Sequence, residues 1–323
     1  MSKLISVIIP TYNRADIITD AINSVLEQTY QIFEIIVVDD GSTDNTVEII
    51  KKIDDSRIIY IYQENSGRPS AARNTGIKKS TGDYIAFLDS DDLWHREKLE
   101  KQIAILDNNP NIGLVTNWSS YKTFNNEEIK IKMSQAKSQR ENILYILTAP
   151  DKAFTGTPTL LVRKECLEKV GSFDETMTFC EDWDLFFRIS LLYEIYNIEK
   201  VLTYIRIHQE NISKTPNANA FMESYLIYLQ KAFENENLST ELLKIKGEAY
   251  SNAWWSIGGW ALHKSKDYQT ARKSFLESIK YSHNKIFNVR FLVEFILVCG
   301  PELFCGVYGY SRSIYRKLLG KKC

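Results

Sequence analysis

Residues 82–92 read GDYIAFLDSDD, a short apolar run that ends abruptly in acidic residues. The five consecutive apolar residues Tyr84–Leu88 are typical of a strand buried on both faces, as in a parallel sheet. The acids that follow, Asp89, Asp91 and Asp92, repel one another unless a cation compensates them. Because open α/β sheets bind ligands at the carboxyl ends of their strands, this stretch predicts a site there for a divalent metal and a diphosphate.

Strand and helix patterns alternate before this segment. Three short apolar runs predict buried strands, namely Val7–Ile9, Ile35–Val38 and Ile58–Ile61. A helical pattern of apolar residues lies between the first two runs, over residues 17–26, and Asp44 can cap a second helix between the others. This order implies a parallel sheet with right-handed crossovers. Fold class alone does not decide function, since unrelated activities share such sheets.

Composition sets broad limits on function. The 323 residues carry a formal net charge of −1, which argues against a dedicated nucleic-acid binder because such proteins show a strong basic excess. The five cysteines show no CxxC spacing, which favours free thiols in a reducing compartment. The N-terminus lacks the apolar core of a signal peptide, so we expect a cytoplasmic protein.

Polar loops follow the first two predicted strands. After the first strand comes PTYNR, at residues 10–14, and after the second comes DDGSTD, at residues 39–44. Asp39 lies at the strand end itself, which favours a ligand role. Asp44 lies further into the loop and either caps the next helix or contributes to the site.

A third loop leads into a helix that points toward the acidic strand. Residues 64–76 read ENSGRPSAARNTG. Gly67 frees the backbone, and Pro69 suits a first helical turn. The free N–H groups of such a helix start favour an anion, and Arg73 adds a forked donor for a phosphate or a base.

A second acidic cluster lies at residues 179–184, FCEDWD, and opens a predicted helix. Acids in a first helical turn interact favourably with the helix dipole, so Glu181 and Asp182 have a purely structural explanation. Alternatively, their aromatic neighbours Phe179 and Trp183 desolvate them. Desolvation would raise the pKa of a carboxylate toward a value useful for a general base.

Four of these segments together resemble the family 2 type of inverting glycosyltransferases: residues 6–14, 37–44, 72–76 and 87–94. The resemblance covers residues 4 to 210. It implies the GT-A fold, a Rossmann-like α/β fold with a mixed, mostly parallel sheet flanked by helices. It also implies an enzyme dependent on Mn²⁺ or Mg²⁺ that acts in polysaccharide biosynthesis. Such an enzyme moves a sugar from a nucleotide sugar, typically UDP-linked, to a hydroxyl of a glycan or lipid-linked oligosaccharide.

The resemblance further assigns roles to individual residues. Asp182 would be the catalytic base, and Glu181 would orient it or the acceptor. The cation would be held by Asp89, Asp91 and His208. One carboxylate of the Asp39/Asp40 pair would read the base, and the position of Asp39 favours that residue. The nucleotide-binding residues as a whole would be Pro10, Thr11, Tyr12, Arg14, Asp39, Asp40, Gly67, Arg73, Asn74, Asp89 and Ser90.

The remaining pattern divides the chain into two predicted domains. We expect a catalytic domain at 1–212, with a nucleotide-binding half at 1–92 and an acceptor half at 93–212, and an α-helical region at 213–323. In the acceptor half, residues 94–106 predict a helix. Residues 125–140 form either a mobile acceptor-side loop or an exposed hairpin.

The C-terminal region carries two further patterns. Residues 253–276 resemble one tetratricopeptide-type helical hairpin, which cannot bury its own face alone. Apolar residues at 291–310 precede a basic cluster at 312–322. This tail either docks on the anionic inner face of the cell membrane or forms a buried helix with a solvated basic end.

Two other functions stay open from the sequence. A sugar nucleotidyltransferase would share the sheet and the acidic metal site, but it would release pyrophosphate and would not need Glu181 and Asp182. A non-catalytic nucleotide-sugar-binding or scaffold protein would bind the nucleotide without needing any base.

Overall fold

The computed structural model of the chain describes residues 3–125, 127–207 and 218–299. The chain divides into two compact units. The first comprises Met1–Asn211 and Glu234–Leu238, and the second comprises Ile212–Phe233 and Ser239–Cys323. His208, the predicted domain boundary at 212 and 213, and the predicted basic tail at 312–322 all lie outside the described residues.

A mixed sheet forms the centre of the first unit. Its strands within the described residues are β1 (Ile5–Thr11), β2 (Phe33–Asp39), β3 (Ile58–Tyr62), β4 (Tyr84–Phe87), β5 (Leu93–Trp94), β6 (Ile112–Lys122), β7 (Glu128–Lys132), β8 (Leu161–Arg163) and β9 (Glu194–Arg206). Their order is β3-β2-β1-β4-β8-β6-β9-β5, with β7 paired to β6. The first four strands are mutually parallel, and β8 joins them antiparallel.

Helices flank this sheet along the chain. They are α1 (Ile18–Leu26), α2 (Thr46–Lys51), α3 (Pro69–Lys79), α4 (Lys98–Asn108), α5 (Gln139–Thr148), α6 (Pro150–Ala153), α7 (Lys164–Val170) and α8 (Glu181–Leu192). The predicted fold class, a mixed and mainly parallel α/β sheet flanked by helices, is confirmed.

The pattern of apolar residues explains these elements. Every residue of β1 and β2 is buried, as their continuous apolar runs predict. Helix α1 buries residues at the spacing i, i+3, i+4 and i+7, which is the single apolar face of a helix lying on a sheet. Helix α3 lies so close to β1 that a Cβ at Gly76 would come within 2.5 Å of the Ile8 side chain. The small residue therefore sets how closely α3, which carries Arg73, approaches the sheet.

The helix expected at residues 94–106 begins later than predicted. Leu93 and Trp94 instead form β5 and pair with Tyr204 and Thr203 of β9, and helix α4 starts at Lys98. The pairing partner lies more than a hundred residues further along the chain, so local periodicity could not reveal it.

Two local predictions are refined by the structure. Within the segment expected as a mobile loop or an exposed hairpin, residues 128–132 form β7 and pair antiparallel with β6, as in the hairpin, whereas residues 133–138 form neither helix nor strand. Asp44 is not the N-cap of α2, because Asn45 occupies that position. Its carboxylate nevertheless accepts a hydrogen bond from the backbone N–H of Thr46, the first helical residue, at 3.0 Å.

The second unit is helical in its described part. Its helices are α9 (Ala218–Phe233), α10 (Thr240–Leu243), α11 (Lys246–Trp260), α12 (Tyr268–Tyr281) and α13 (Val289–Cys299). Helices α11 and α12 pack antiparallel, since Ser251 contacts Ser278 and Gly258 lies against Phe275. The resemblance of this pair to a tetratricopeptide hairpin stays a prediction. Among the residues described, no helix is both long and apolar enough to cross a bilayer.

Lys98 yields a prediction for stability. Its side chain is fully buried; Nζ donates to Gln102 Oε1 at 2.8 Å and lies 3.9 Å from the centre of the Trp94 ring. Burial lowers the pKa of this amine well below its usual range, so stability rises with pH from the folded-state pKa up to the unfolded-state pKa. We expect Lys98→Met to stabilise the protein at pH 7 by about 1 kcal/mol, because an apolar side chain of similar volume removes the buried charge.

Urea unfolding at pH 6, 7 and 9 measures this effect. The gain in the free energy of unfolding over the wild type should shrink as the pH approaches the pKa of an unfolded lysine. Lys101→Met, on the same helix but partly exposed, is the control and should change stability little. A Lys98→Met protein that is less stable than the wild type at every pH would contradict the interpretation.

Candidate active site

Three of the predicted site residues, Thr11, Asp39 and Asp89, lie at the carboxyl edge of the parallel strands. Thr11 ends β1 and lies in register with Asp39, which ends β2. On the other side of β1, Ile8 pairs with Phe87 of β4, and Leu88 still donates its N–H to the carbonyl of Ile8 at 3.0 Å. Asp89 therefore follows β4 at the same edge of the sheet as Thr11 and Asp39.

The loops after β1 and β2 are bonded into one piece. Asn13 donates its N–H to Ser42 Oγ, and its own Oδ1 accepts the N–H of Thr43, both at 2.8 Å. Asn13 adopts a left-handed conformation (φ 51°), which asparagine tolerates better than most residues. Arg14 donates its N–H to Thr46 Oγ1 at 2.9 Å. These bonds fix the backbone on either side of the loop that carries Tyr12, whose side chain is 45% exposed.

The two neighbouring carboxylates Asp39 and Asp40 are both buried, but their partners differ. Asp39 accepts one hydrogen bond at each oxygen, from the Ser42 N–H at 2.8 Å and from the Tyr60 hydroxyl at 2.7 Å. Both oxygens of Asp40 accept from the N–H and hydroxyl of Ser66, and Oδ1 also accepts from Gln63 Nε2. Each Asp39 oxygen therefore keeps more acceptor capacity for a ligand than Asp40 Oδ1 does.

Two buried polar atoms at this edge have no hydrogen-bond partner within the described residues: Thr11 Oγ1 and Arg73 Nε. Buried polar groups are nearly always paired, so such atoms call for an explanation. Both residues are among those predicted to bind the nucleotide. Pro10, next to Thr11, is buried in β1.

Arg73 connects the two acidic clusters. Its Nη2 donates to Asp89 Oδ1 at 2.7 Å, and its Nη1 donates to Glu181 Oε1 at 3.1 Å. The side chain is only 5% exposed, and its guanidinium lies over the ring of Phe173. The carboxylates outweigh burial and raise the pKa of Arg73 above its usual range, so the guanidinium stays charged.

Asn74 and Gly67 shape the surroundings of Arg73. The Asn74 side chain donates to the carbonyl of Phe173 at 2.9 Å and to Glu175 Oε1 at 2.7 Å, and it accepts the Phe173 N–H at 3.0 Å. Asn74 thus holds the segment under the Arg73 guanidinium, and its predicted contact with a nucleotide stays a prediction. Gly67 has a φ of 71°, where a side chain would be strained.

The acidic turn after β4 is anchored from β9. Asp92 is buried and accepts the backbone N–H of Arg206 at 2.9 Å, while the Arg206 guanidinium donates to the carbonyl of Asp91 and to Asp20 Oδ2. Burial, followed by the charges of Asp91 and Asp89, raises the pKa of Asp92 well above its usual range. Ser90 is buried within the same turn. Neighbouring carboxylates that repel one another are a suitable environment for a divalent cation.

Two of the three predicted cation ligands lie in the acidic turn after β4. Asp89 and Asp91 lie two residues apart in the turn, and His208 lies outside the described residues. Within the described part, no group of three or more His, Cys, Asp or Glu side chains is arranged to hold a metal ion. The carboxylates of Asp89 and Asp91 supply hard oxygen ligands that fit Mg²⁺ or Mn²⁺ shared with substrate phosphates.

The second acidic cluster begins helix α8. Burial, reinforced by the charge of Asp182, raises the pKa of Glu181 to about 7, against the opposing effect of Arg73. Burial also raises the pKa of Asp182, and Arg73 and Lys132 counteract it. Asp182 Oδ1 accepts the N–H of Trp183 at 2.9 Å, and Oδ2 accepts the hydroxyl of Thr157 at 3.4 Å.

Several residues of this arrangement were not predicted. Thr157 donates to Asp182, the charge of Lys132 acts on the pKa of Asp182, Tyr60 donates to Asp39, and Arg206 holds the acidic turn by its backbone and side chain. Thr157 follows Gly156, which has a φ of 124°, and precedes a proline, so a turn could have been expected there. The residues 128–132 around Lys132 carry no comparable signal.

Comparisons with known proteins identify the family of this chain. A family model described as Glycosyl transferase family 2 matches residues 6–171, just over half of the chain. An uncharacterized glycosyltransferase of Rickettsia typhi is 34% identical over 252 residues, which cover 77% of each chain. An Escherichia coli UDP-Glc:alpha-D-GlcNAc-diphosphoundecaprenol beta-1,3-glucosyltransferase is 43% identical over 126 residues, 39% of this chain and 49% of that protein.

A solved structure shows the same fold. Residues 1–349 of Staphylococcus aureus TarS, crystallised with UDP-GlcNAc, match with a TM-score of 0.67 and 23% sequence identity. The match covers 86% of this chain and 81% of that one.

Proposed function

The chain belongs to glycosyl transferase family 2 and is a glycosyltransferase, and we propose that it uses a UDP-sugar to glycosylate a hydroxyl of a glycan or lipid-linked oligosaccharide in polysaccharide biosynthesis. The observation that carries the proposal is the position of Arg73. Its guanidinium joins Asp89, beside the predicted nucleotide site, to Glu181, beside the predicted base Asp182. This bridge brings the predicted donor-side carboxylate and the predicted acceptor-side carboxylate close together, which supports a site for two substrates.

The donor half is proposed from the strand ends. The orphaned Thr11 Oγ1 and the remaining acceptor capacity of Asp39 suit the hydrogen-bonding groups of a nucleoside. The similarity to a structure crystallised with UDP-GlcNAc supports uridine diphosphate as the nucleotide.

We propose that Asp89, Asp91 and His208 belong to the cation site. A bound Mn²⁺ or Mg²⁺ would neutralise the diphosphate and make it a better leaving group. The acidic turn would supply the protein ligands of the cation. Arg206 fixes the conformation of this turn through its hydrogen bonds to Asp92 and to the Asp91 carbonyl.

The acceptor half would supply the base. Asp182 would take the proton of the acceptor hydroxyl as that oxygen attacks the anomeric carbon from the face opposite the UDP. The bond to the UDP oxygen breaks in the same displacement, which inverts the configuration at the anomeric carbon. Glu181, held by Arg73, would orient Asp182 or the acceptor. Burial of Asp182 suits this role because it raises the pKa of the carboxylate, and a general base is most effective when its pKa is close to the working pH.

A lipid-linked acceptor is proposed from the Escherichia coli relative. The name of that protein states that it glucosylates a GlcNAc-diphosphoundecaprenol. Its similarity covers 39% of this chain, so the acceptor of this chain needs its own test.

The proposal can be tested by measuring UDP release from a panel of UDP-sugars with Mn²⁺, with and without a membrane-lipid extract as the acceptor source. We expect slow hydrolysis of one donor and faster UDP release when the extract is added. Release of pyrophosphate from a sugar phosphate and UTP would instead identify a nucleotidyltransferase. UDP binding without turnover of any donor would identify a non-catalytic binding protein.

A further inference from the structure

Tyr60 contacts the donor site without being one of the predicted nucleotide-binding residues. It belongs to β3, which lies at one end of the described sheet, and it pairs in register with Val37 of β2. Its ring packs against the hydrophobic core that contains Val37, and its hydroxyl donates to Asp39 Oδ2 at 2.7 Å. A phenylalanine would supply the same packing. The hydroxyl therefore calls for an explanation of its own, because taking a hydroxyl out of water has a cost that only a hydrogen bond offsets.

The strand register explains how the Tyr60 hydroxyl reaches Asp39. Residues in register on neighbouring strands project to the same face of a sheet, and so do residues two apart on one strand. Tyr60, Val37 and Asp39 therefore share one face, and Asp39 lies two residues nearer the carboxyl end than Val37. The long side chain of a tyrosine spans this step and places its hydroxyl at the strand ends.

The Asp39 carboxylate is held at both oxygens by neutral donors. Oδ1 accepts the N–H of Ser42 at 2.8 Å, and Oδ2 accepts the hydroxyl of Tyr60. Burial, followed by the hydrogen bond to Asp39, raises the pKa of Tyr60 above its usual range, so the hydroxyl stays protonated and donates. Asp39 is only 1% exposed, and rotation of its carboxylate would break these hydrogen bonds. Because both donors are uncharged, they do not cancel its negative charge.

A carboxylate fixed in this way selects a base that donates a hydrogen bond. Ionised carboxylate oxygens only accept, and each Asp39 oxygen has capacity for a further donor. Uracil presents an N3–H donor between its two carbonyl groups, whereas cytosine presents an unprotonated N3 at the same position. Cytosine also carries an exocyclic amine, but this donor lies to one side of N3, so the carboxylate would have to turn to accept it. Holding Asp39 in place therefore favours uracil over cytosine.

We propose that Tyr60 is a positioning residue of the donor site, which fixes the Asp39 carboxylate and thereby sets the preference for a uracil base over a cytosine base. The inference rests on the proposed function, because Tyr60 has this task only if Asp39 contacts the base of a bound uridine nucleotide. It deepens that function by adding β3 to the donor site and by assigning nucleotide selectivity to a hydrogen bond between two side chains of the protein.

Calorimetric titrations of the wild type and Tyr60→Phe with UDP and with CDP, each with Mn²⁺, test the inference. The wild type should bind UDP about tenfold more tightly than CDP, or better, because a site built around a donor N–H rejects a base that lacks it. Tyr60→Phe keeps the ring and frees one oxygen of the carboxylate. We expect its affinity for UDP to fall about tenfold, as for the loss of one hydrogen bond to a charged group, and its affinity for CDP to fall less. The preference for UDP over CDP should therefore shrink.

A matched control and a second readout separate positioning from packing. Tyr62→Phe makes the same chemical change two residues along β3, at a side chain that is 61% exposed, so both affinities should stay near those of the wild type. With the UDP-sugar that the wild type turns over, Tyr60→Phe should raise KM and leave kcat nearly unchanged, because the base is bound equally before and during transfer. A hydroxyl that only stabilised the end of β2 predicts a different result. Urea unfolding would then show a less stable protein, while the affinities for UDP and CDP changed by the same factor.

The failures of the inference and of the proposed function differ. A Tyr60→Phe protein that keeps the wild-type ratio of the two affinities would overturn the inference and leave the proposed function intact, and so would a wild type that binds UDP and CDP equally. If Tyr60→Phe does not fold, Asp39→Asn is used, because its amide can donate to N3 of cytosine. An unchanged preference for UDP in Asp39→Asn overturns the inference, and a shift toward CDP supports it. A wild type that binds neither nucleotide would refute the proposed donor, and the role of Tyr60 would fall with it.

Discussion

Replacing Asp182 with Asn is expected to lower the turnover number by about 10²–10⁴-fold while leaving the Kd for UDP unchanged. An amide cannot take the proton of an acceptor hydroxyl. It can keep the shape of the carboxylate and accept the Trp183 N–H at its oxygen, while its NH2 group donates to the Thr157 hydroxyl oxygen that had donated to the carboxylate. The nucleotide is proposed to bind at the strand ends, through other residues, so its affinity should not depend on Asp182.

Steady-state transfer rates and a UDP titration of the same protein preparation measure both quantities. Asp184→Asn is a matched control, since Asp184 lies in the same first helical turn but pairs with Arg188 at 2.8 Å. That variant should lose stability and retain turnover in its folded fraction. Loss of UDP affinity in Asp182→Asn, or turnover equal to that of the wild type, would overturn the assignment of the base.

Replacing Arg73 with Met is expected to lower the free energy of unfolding by about 3 kcal/mol at pH 8 and to weaken UDP binding. The variant leaves Asp89 and Glu181 facing each other without their shared cation. The Glu181 side chain is 13% exposed, so its unpaired charge accounts for most of the loss in unfolding free energy. Asp89 is 32% exposed, and water screens its charge.

The sign of the pH dependence follows from Glu181. Its pKa in the folded protein is raised to about 7, so it contributes stability that is present below the unfolded-state pKa and lost as the pH rises through 7. Removing Arg73 raises that folded-state pKa further. The destabilisation by Arg73→Met should therefore be smaller at pH 5 than at pH 8.

Urea unfolding of Arg73→Met at both pH values provides this test. Lys78→Met is the control, since Lys78 is an exposed cation on the same helix α3. Its unfolding free energy should stay close to that of the wild type. An Arg73→Met protein as stable as Lys78→Met at pH 8 would show that the ion pairs of Arg73 contribute little to the free energy of unfolding.

The parts of the fold that sequence predicts well are those set by local burial. The runs Val7–Ile9 and Ile35–Val38 became β1 and β2, and residues 17–26 became α1, because each pattern reflects one buried face or one buried strand. The acids of the strand ends were found for the same reason. A polar residue directly after a buried strand has few positions open to it other than the edge of the sheet.

The parts that sequence could not predict depend on contacts between distant residues. Arg73 and Glu181 are 108 positions apart, and Arg206 reaches Asp92 across 114. No periodicity signals such pairs. The partial burial of Lys132 could not be predicted for a related reason, since the other residues of its strand are exposed.

The central claim is that the carboxyl edge of β1, β2 and β4 binds a uridine diphosphate together with a divalent cation. The most direct measurement is a calorimetric titration of the wild type and Asp91→Asn with UDP, each with and without Mn²⁺. The account predicts that Mn²⁺ strengthens binding to the wild type and that Asp91→Asn binds UDP with Mn²⁺ about tenfold more weakly or worse. No UDP binding by the wild type, or equal Mn²⁺-dependent affinity in both proteins, would contradict it.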